Sequence, residues 1–297
     1  MASSSRRTLV RRVSALNRPR RASPSAKNLA RREALILQRV RLDCSRGCCS
    51  PGPSRRRFRS GSRPDGTGGV KLRVAQLPLK EGAGQARGAD VWGIVLAAGS
   101  GWRFGGPKQF AKLNRLRLVD HVVATATTVC DRVMVVLPPG TAWEDPTTTV
   151  VDGGTTRLDS VRAGLAAVPE DVIVVVSDAA HPLASAALYQ RVTAAVRRGA
   201  SAAVPVIPVT EALKRVDDDR VVATVPRTQT VMAQMPQAFW APMLRAAHAG
   251  QPEAAEDSEL VERIGGTVVT VPGDTANLHV TTPAELDLAI WLLRALP

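Results

Sequence analysis

The stretch from residue 91 to residue 109, VWGIVLAAGSGWRFGGPKQ, decides the fold class. Its apolar run, residues 91–97, predicts a buried strand that passes directly into a glycine-rich turn. Open α/β sheets bind ligands at the carboxyl ends of such strands, and small residues let main-chain N–H groups approach a phosphate closely. Arg103 and Lys108 flank the turn and add two cations. The pattern therefore predicts a phosphate-binding loop.

The rest of the chain supports an α/β sheet built around that strand. Two further apolar runs, residues 131–137 and 171–176, also predict buried strands. Helical patterns cover residues 119–129, 156–167 and 184–198. Strands that alternate with helices predict a doubly wound, mostly parallel, Rossmann-like sheet. The glycine turn is neither a dinucleotide fingerprint nor a Walker loop, because it lacks the spacing of both.

Two later stretches have a different character. Residues 211–216 and 220–225 flank three consecutive aspartates and predict a polar β-hairpin that protrudes as an arm, at about residues 208–228. Near the end of the chain, Thr282 to Glu285 form a capping-box pattern with proline at the first helical position. We expect a final helix from there to Leu296.

The charge of the chain is unevenly distributed. Of 40 Lys and Arg and 26 Asp and Glu, residues 1–90 hold 22 and 5, which leaves 18 and 21 for residues 91–297. The second part has no basic excess, so it gives no reason to expect a nucleic-acid partner. No segment approaches the roughly 20 apolar residues that cross a bilayer, so no membrane association is expected. Residues 91–297 contain Cys130 alone, which favours a reducing, cytoplasmic location.

Residues 1–90 predict a disordered, arginine-rich tail that precedes a domain at 91–297. Three interpretations remain open: an organelle transit peptide, which would place the protein in a plastid, a basic arm, or translation from an upstream start codon. Cys44, Cys48 and Cys49 lie close together but lack the second pair of ligands that a zinc site needs.

Beyond composition, a series of short motifs resembles a known family. The string LAAGSG-x-RF at residues 96–104, followed by Pro107-Lys108-Gln109, resembles the nucleotidyltransferases that make nucleoside-diphosphate sugars. In detail it resembles the 2-C-methyl-D-erythritol 4-phosphate cytidylyltransferase family. The similarity continues through residues 150–157, 159–161, 178–182, 213–215, 227, 236–237 and 277–283.

The resemblance implies a reaction and a set of site residues. It implies transfer of CMP from CTP to a polyol phosphate, with Mg²⁺, in a homodimer whose hairpin arm completes the acceptor site of a second subunit. Catalytic roles fall to Arg103, Lys108, Arg227 and His279, and a magnesium ligand to Asp178. The predicted nucleotide contacts are Ala97, Ala98, Gly99, Ser100, Gly101, Gly154, Thr155 and Ser160, and the predicted acceptor contacts are Lys214, Arg227 and His181.

Each of these assignments has a plainer competitor. Arg103 and Lys108 could be solvated loop cations, and Asp178 could cap the helix that follows it. Gly154, Thr155 and Ser160 could belong only to a helix N-terminus. The second metal ligand stays open among the acidic residues Asp274, Glu256 and Asp257.

The departures from the family pattern concentrate on the acceptor side. Arginine is replaced by His181, lysine by His279, and two threonines by Ala212 and Met235. Histidine is neutral for much of the time near neutral pH, which would weaken a phosphate clamp. Two alternatives therefore stand beside the main hypothesis: a catalytically weakened paralogue, and an enzyme for another polyol phosphate such as ribitol 5-phosphate.

Overall fold

The structure, a computed structural model, describes residues 86–295. The predictions for the tail, namely its disorder, its targeting role and its cysteine cluster, lie almost entirely outside this range, as does the end of the final helix. Among the described residues, no helix has both the length and the apolar character that crossing a membrane would require.

Twelve strands and six α-helices occupy this range, together with two short 3₁₀ turns. The strands are β1 Val91–Leu96, β2 Lys112–Leu113, β3 Leu116–Arg117, β4 Arg132–Leu137, β5 Thr149–Asp152, β6 Ile173–Asp178, β7 Ala202–Pro208, β8 Leu213–Asp217, β9 Arg220–Val225, β10 Val231–Ala233, β11 Gln237–Trp240 and β12 Val268–Pro272. The helices are α1 Leu118–Thr127, α2 Arg157–Ala166, α3 Ala186–Arg197, α4 Ala241–His248, α5 Asp257–Arg263 and α6 Pro283–Ala295.

The main sheet has eight strands in the order β10-β7-β11-β6-β1-β4-β5, with β12 paired to β7. The pairs β1–β4, β1–β6, β4–β5 and β7–β12 are parallel, whereas β11 runs antiparallel to both β6 and β7. The predicted mostly parallel α/β sheet is confirmed. Because β1, β4 and β6 are parallel neighbours, their carboxyl ends and the loops that follow them meet at one edge.

Helices cover both faces of this sheet. Successive side chains of a strand point to opposite faces, and Val95 and Ile94 of β1 accordingly enter different core clusters. Val95 packs with α1 and α3, and Ile94 packs with α2, α4 and α5. The valine-rich runs of β4 and β6 are buried because the sheet is covered on both sides.

The predicted elements are present with small shifts at their ends. One of these shifts affects a predicted site residue. Asp178 was expected just after a strand at 171–176, but it is the last residue of β6. The helix that follows is capped by Ser185, whose side chain accepts from the Leu188 amide, so Asp178 is not its N-cap. Strands β2, β3, β5, β7, β10, β11 and β12 were not predicted from the sequence.

The predicted hairpin is a two-stranded antiparallel sheet of its own, β8 with β9. Most of its side chains are exposed, including Val216, Val221 and Val222 at 59%, 60% and 55%. Apolar side chains with this exposure contribute little to the stability of the subunit that carries them.

The final helix begins as its sequence predicts. The Thr282 amide donates to Glu285 Oε2 at 2.8 Å, and the Glu285 amide donates back to Thr282 Oγ1 at 3.4 Å, which is a reciprocal capping box. Helix α6 packs Ala289 against Leu113, Leu118, Leu183 and Val280. This small cluster fixes the segment 277–282 beside the main sheet.

Candidate active site

The glycine loop after β1 is held tight at its base. The amides of Phe104, Gly105 and Gly106 all donate to the Gly101 carbonyl, at 2.8, 3.1 and 3.2 Å. Gly101 has a φ of 65°, and a Cβ there would lie 1.8 Å from the Gly106 oxygen, so only glycine fits. Gln109 is buried and donates to the Gly99 carbonyl at 3.1 Å, which ties the loop to the residues that follow it.

The opposite wall comes from the loop between β5 and α2. A Cβ on Gly153 would lie 2.3 Å from the Cβ of Ala98, so the two loops approach each other as closely as glycine allows. Thr156 caps α2: its hydroxyl accepts from the Asp159 amide, and Asp159 accepts from the Thr156 amide, each at 3.0 Å. The Ser160 hydroxyl donates to the Thr156 carbonyl at 3.1 Å and accepts from the Gly154 amide at 3.2 Å. This segment is therefore both a helix N-terminus and a cavity wall.

Lys108 and Asp178 both line the cavity between these walls. Lys108 donates to the Val280 carbonyl at 3.0 Å, which fixes its ammonium group at the carboxyl edge of the sheet. Burial lowers the pKa of Lys108, and Asp178 opposes that shift by stabilising the charged form. One carboxylate oxygen of Asp178 accepts from the Ala180 amide at 2.8 Å.

These walls enclose a cavity of about 730 Å³, a size that suits a nucleotide. The cavity brings together all the predicted nucleotide contacts and three of the predicted charged residues. Its predicted lining residues are Ala97, Ala98, Gly99, Ser100, Gly101, Arg103, Lys108, Gly154, Thr155, Ser160 and Asp178. Cations, glycine amides and one carboxylate in one cleft form the set of groups that holds a triphosphate.

Comparison with known proteins identifies the family. The family model described as "IspD: 2-C-methyl-D-erythritol 4-phosphate cytidylyltransferase" matches residues 91–295. The chain belongs to this family. The 2-C-methyl-D-erythritol 4-phosphate cytidylyltransferase of Nocardia farcinica is 40% identical over 218 residues, which span 69% of this chain and 94% of the relative. The enzyme of the same name from Frankia casuarinae is also 40% identical over 218 residues, 67% of this chain and 80% of the relative.

A solved structure agrees with the family assignment. The crystal structure of the 2-C-methyl-D-erythritol 4-phosphate cytidylyltransferase from Thermus thermophilus matches with a TM-score of 0.60 at 32% identity. The match covers 68% of this chain and 98% of that chain. Both the α/β fold and the class of enzyme, a cytidylyltransferase, follow from these similarities.

The two histidines that replace basic residues of the family pattern form a stacked pair. The rings of His181 and His279 lie 4.5 Å apart between centroids and 14° from parallel. Burial lowers the pKa of His181 to about 4, and burial likewise lowers the pKa of His279. Both shifts favour the neutral imidazole. The pair lies beside Asp178 and Lys108, whose charges act on both pKa values, although neither ring lines the cavity.

Of the four candidate metal ligands, one lines the cavity and three do not. Asp178 is the only carboxylate among the residues that line the cavity, and it fits the preference of Mg²⁺ for one or two carboxylates with phosphate oxygens. Asp257 is fully buried between Arg157 and His248, Glu256 accepts from Gln237, and Asp274 accepts from the Ala276 amide. None of these three faces the cavity. Within residues 86–295, no cluster of three metal-ligating side chains occurs.

The predicted acceptor contacts on the hairpin segment lie elsewhere. Arg227 donates to the Thr210 carbonyl at 2.7 Å, and Lys214 donates to Thr224 at 2.8 Å. Both residues are exposed or nearly so, and neither lines the cavity of its own chain. Their roles in the acceptor site stay predictions.

Several cavity-lining residues had no predicted role, among them Trp102, Pro138, Arg157 and Thr281. Trp102 is 80% exposed at the tip of the glycine loop. Arg157 was visible in the motif, but only the structure shows that its partner is Asp257, one hundred residues later. A separation of that length carries no periodic signal in the sequence.

Proposed function

We propose that this chain transfers CMP from CTP to 2-C-methyl-D-erythritol 4-phosphate, which releases pyrophosphate and forms 4-diphosphocytidyl-2-C-methyl-D-erythritol. The observation that carries this proposal is the cavity in which the glycine loop, Arg103, Lys108, Asp178 and the N-terminus of α2 come together. The names of the relatives supply the acceptor. We assign the activity to residues 91–297, the span of the family match and the two residues that follow it.

The residues divide the work between binding and charge neutralisation. An oxygen of the acceptor phosphate attacks the α-phosphorus of CTP, and the bond from that phosphorus to the pyrophosphate oxygen breaks. Arg103 and Lys108 stabilise the charge that develops on the transferred and leaving phosphates. The loop amides at residues 98–101 orient the triphosphate. We assign contacts with the nucleoside to Thr155 and Ser160, which line the same cavity. Asp178 would hold a Mg²⁺ ion, which would neutralise part of the charge on the phosphates.

The acceptor side supports a homodimer. Lys214 and Arg227 lie on the hairpin segment and do not reach the cavity of their own chain, while the hairpin exposes Val216, Val221 and Val222. A second copy of the chain that packs on these valines would stabilise the dimer by burying them. Its cavity would then receive Lys214 and Arg227 as two cations for the acceptor phosphate. A cytoplasmic location completes the proposal.

Pyrophosphate release from the purified full chain tests the function directly. We expect release that requires CTP, Mg²⁺ and methylerythritol phosphate together, and that falls at least about 100-fold in Asp178→Asn. The matched control is Asp152→Asn, at the end of strand β5 of the same sheet, because Asp152 does not line the cavity.

Two results would redirect the proposal. Release with ribitol 5-phosphate but not with methylerythritol phosphate would assign a different acceptor. Bound CTP with no release for either acceptor would identify a non-catalytic paralogue, in agreement with the replacement of basic residues by His181 and His279.

A further inference from the structure

Asp257 is a fully buried carboxylate whose two oxygens are both engaged. Its Oδ2 accepts from Arg157 at 2.7 Å, and its Oδ1 lies 3.0 Å from His248 Nε2. Burial opposes ionisation of Asp257, but the contacts with His248 and Arg157 outweigh it and hold the pKa below the ordinary value. Asp257 is therefore a stable negative charge inside the protein.

Arg157 connects this buried charge to the nucleotide cavity. Its side chain is 32% exposed, whereas the side chain of Asp257 is 0% exposed, so the two ends of the ion pair face different environments. Arg157 is the first residue of α2, directly after the cap Thr156, and it lines the cavity. One guanidinium nitrogen, Nη1, is bound to Asp257, and the same planar fork carries further N–H groups with which this cavity-lining residue can bind a ligand.

An arginine held in this way can act as an oriented hydrogen-bond donor. A guanidinium fork that is fixed at one edge loses little conformational freedom when its other edge binds a ligand. Asp257 also neutralises the positive charge of Arg157. A hydrogen bond from Arg157 to a ligand therefore depends on its direction more than on long-range attraction.

We propose that Arg157 contacts the nucleotide and that Asp257 is the positioning residue that holds Arg157 toward it. This proposal rests on the proposed function, because it takes the cavity to be the CTP site. Asp257 thereby has a role at the active site that differs from the metal ligation considered for it, although it touches no substrate.

A double-mutant cycle on CTP affinity separates this role from a purely structural one. The full chain and the variants Arg157→Gln, Asp257→Asn and the double variant are titrated with CTP and Mg²⁺, without acceptor, by calorimetry. Each single substitution should weaken CTP binding by about tenfold, the scale of one lost charge-assisted hydrogen bond. The double variant should bind no more weakly than Arg157→Gln, because Asp257 acts only through Arg157.

The chain offers a matched control on the same helix. Arg162 pairs with Asp159 at 2.7 Å and does not line the cavity, so Arg162→Gln should leave CTP affinity within about twofold. Arg157→Lys adds a test that leaves the buried carboxylate in place. It keeps the charge and removes the fork, so it should lose nearly as much affinity as Arg157→Gln.

The outcomes distinguish this inference from the proposed function. Additive losses in the double variant, wild-type affinity in Arg157→Gln, or wild-type affinity in Arg157→Lys would each overturn the positioning role. In another outcome, the variants lose CTP affinity in the coupled way while the wild-type protein transfers nothing to methylerythritol phosphate. That result would uphold the positioning role and reject the proposed acceptor. If the wild-type chain binds no CTP, both proposals fall together.

Discussion

At the scale of single residues, the active site depends on where charge is placed more than on how much there is. Lys108 is fixed by the Val280 carbonyl, and Arg157 is fixed by Asp257. Both cations are oriented by contacts that the substrate does not supply. Fixed charges stabilise a transition state without having to reorganise during the reaction, which is why their positions matter for rate.

Lys108 provides the prediction at this scale. Lys108→Gln should lower kcat for pyrophosphate release by about 100-fold or more, because charge on the transferred phosphate loses its fixed cation. The control is Lys112→Gln, four residues later, where the lysine is exposed and lies outside the cavity. Steady-state kinetics on both variants decide the matter. Equal rates for the two would mean that Lys108 is an ordinary loop cation.

At the scale of elements, the end of the chain supports the active site from behind. Helix α6 and the segment before it form a small apolar cluster that includes Val280, the residue whose carbonyl holds Lys108. The cap of α6 depends on Glu285. The Thr281 hydroxyl, followed by the amides of Thr281 and Thr282, lowers the pKa of Glu285 to about 2 against an opposing effect of burial.

This shift predicts how the stability of the capped helix depends on pH. Because the folded pKa of Glu285 lies below the ordinary 4.5, its contribution is present above about pH 4.5 and is lost as the pH falls toward 2. The difference in unfolding free energy between wild type and Glu285→Gln should therefore be constant from about pH 5 to 7 and shrink below about pH 4.5. Urea unfolding across this range measures it. A difference that does not change with pH would show that the carboxylate charge is irrelevant to the cap.

At the scale of the whole molecule, the hairpin β8–β9 has an exposed apolar surface that packing within the described part of its own chain does not explain. It pairs with no strand of the main sheet within the described range, and it exposes three valines. The predicted acceptor residues Lys214 and Arg227 belong to the same segment. The proposed dimer accounts for the exposed surface and for the distance of these cations from the cavity together.

A charge on the hairpin surface tests this explanation. Val222→Glu should convert the dimer to a monomer in sedimentation experiments, because a buried carboxylate without a partner strongly opposes association. It should also raise the KM for the acceptor more than that for CTP. Leu288→Glu, on the exposed side of α6, is the control and should change neither property. A Val222→Glu protein that remains dimeric, or a wild-type monomer, would contradict the arm assignment.

Some of this molecule is determined by its sequence alone. The apolar runs that became β1, β4 and β6 and the capping box of α6 could be located because strand burial and helix caps depend on near neighbours in the chain. The glycine loop and its cations could be located because they are contiguous. The short strands β10, β11 and β12 could not, because such strands acquire their identity from the strands they pair with.

Tertiary structure decided the remaining features of the site. It placed Arg157 on the buried carboxylate of Asp257, one hundred residues away, it stacked His181 on His279, and it engaged Glu256 and Asp274 in contacts with residues that do not line the cavity. It also ended β6 at Asp178 itself. The physical reason is common to all of them: the partner of a buried polar group is chosen by packing between elements that are distant in sequence, and no local pattern encodes that choice.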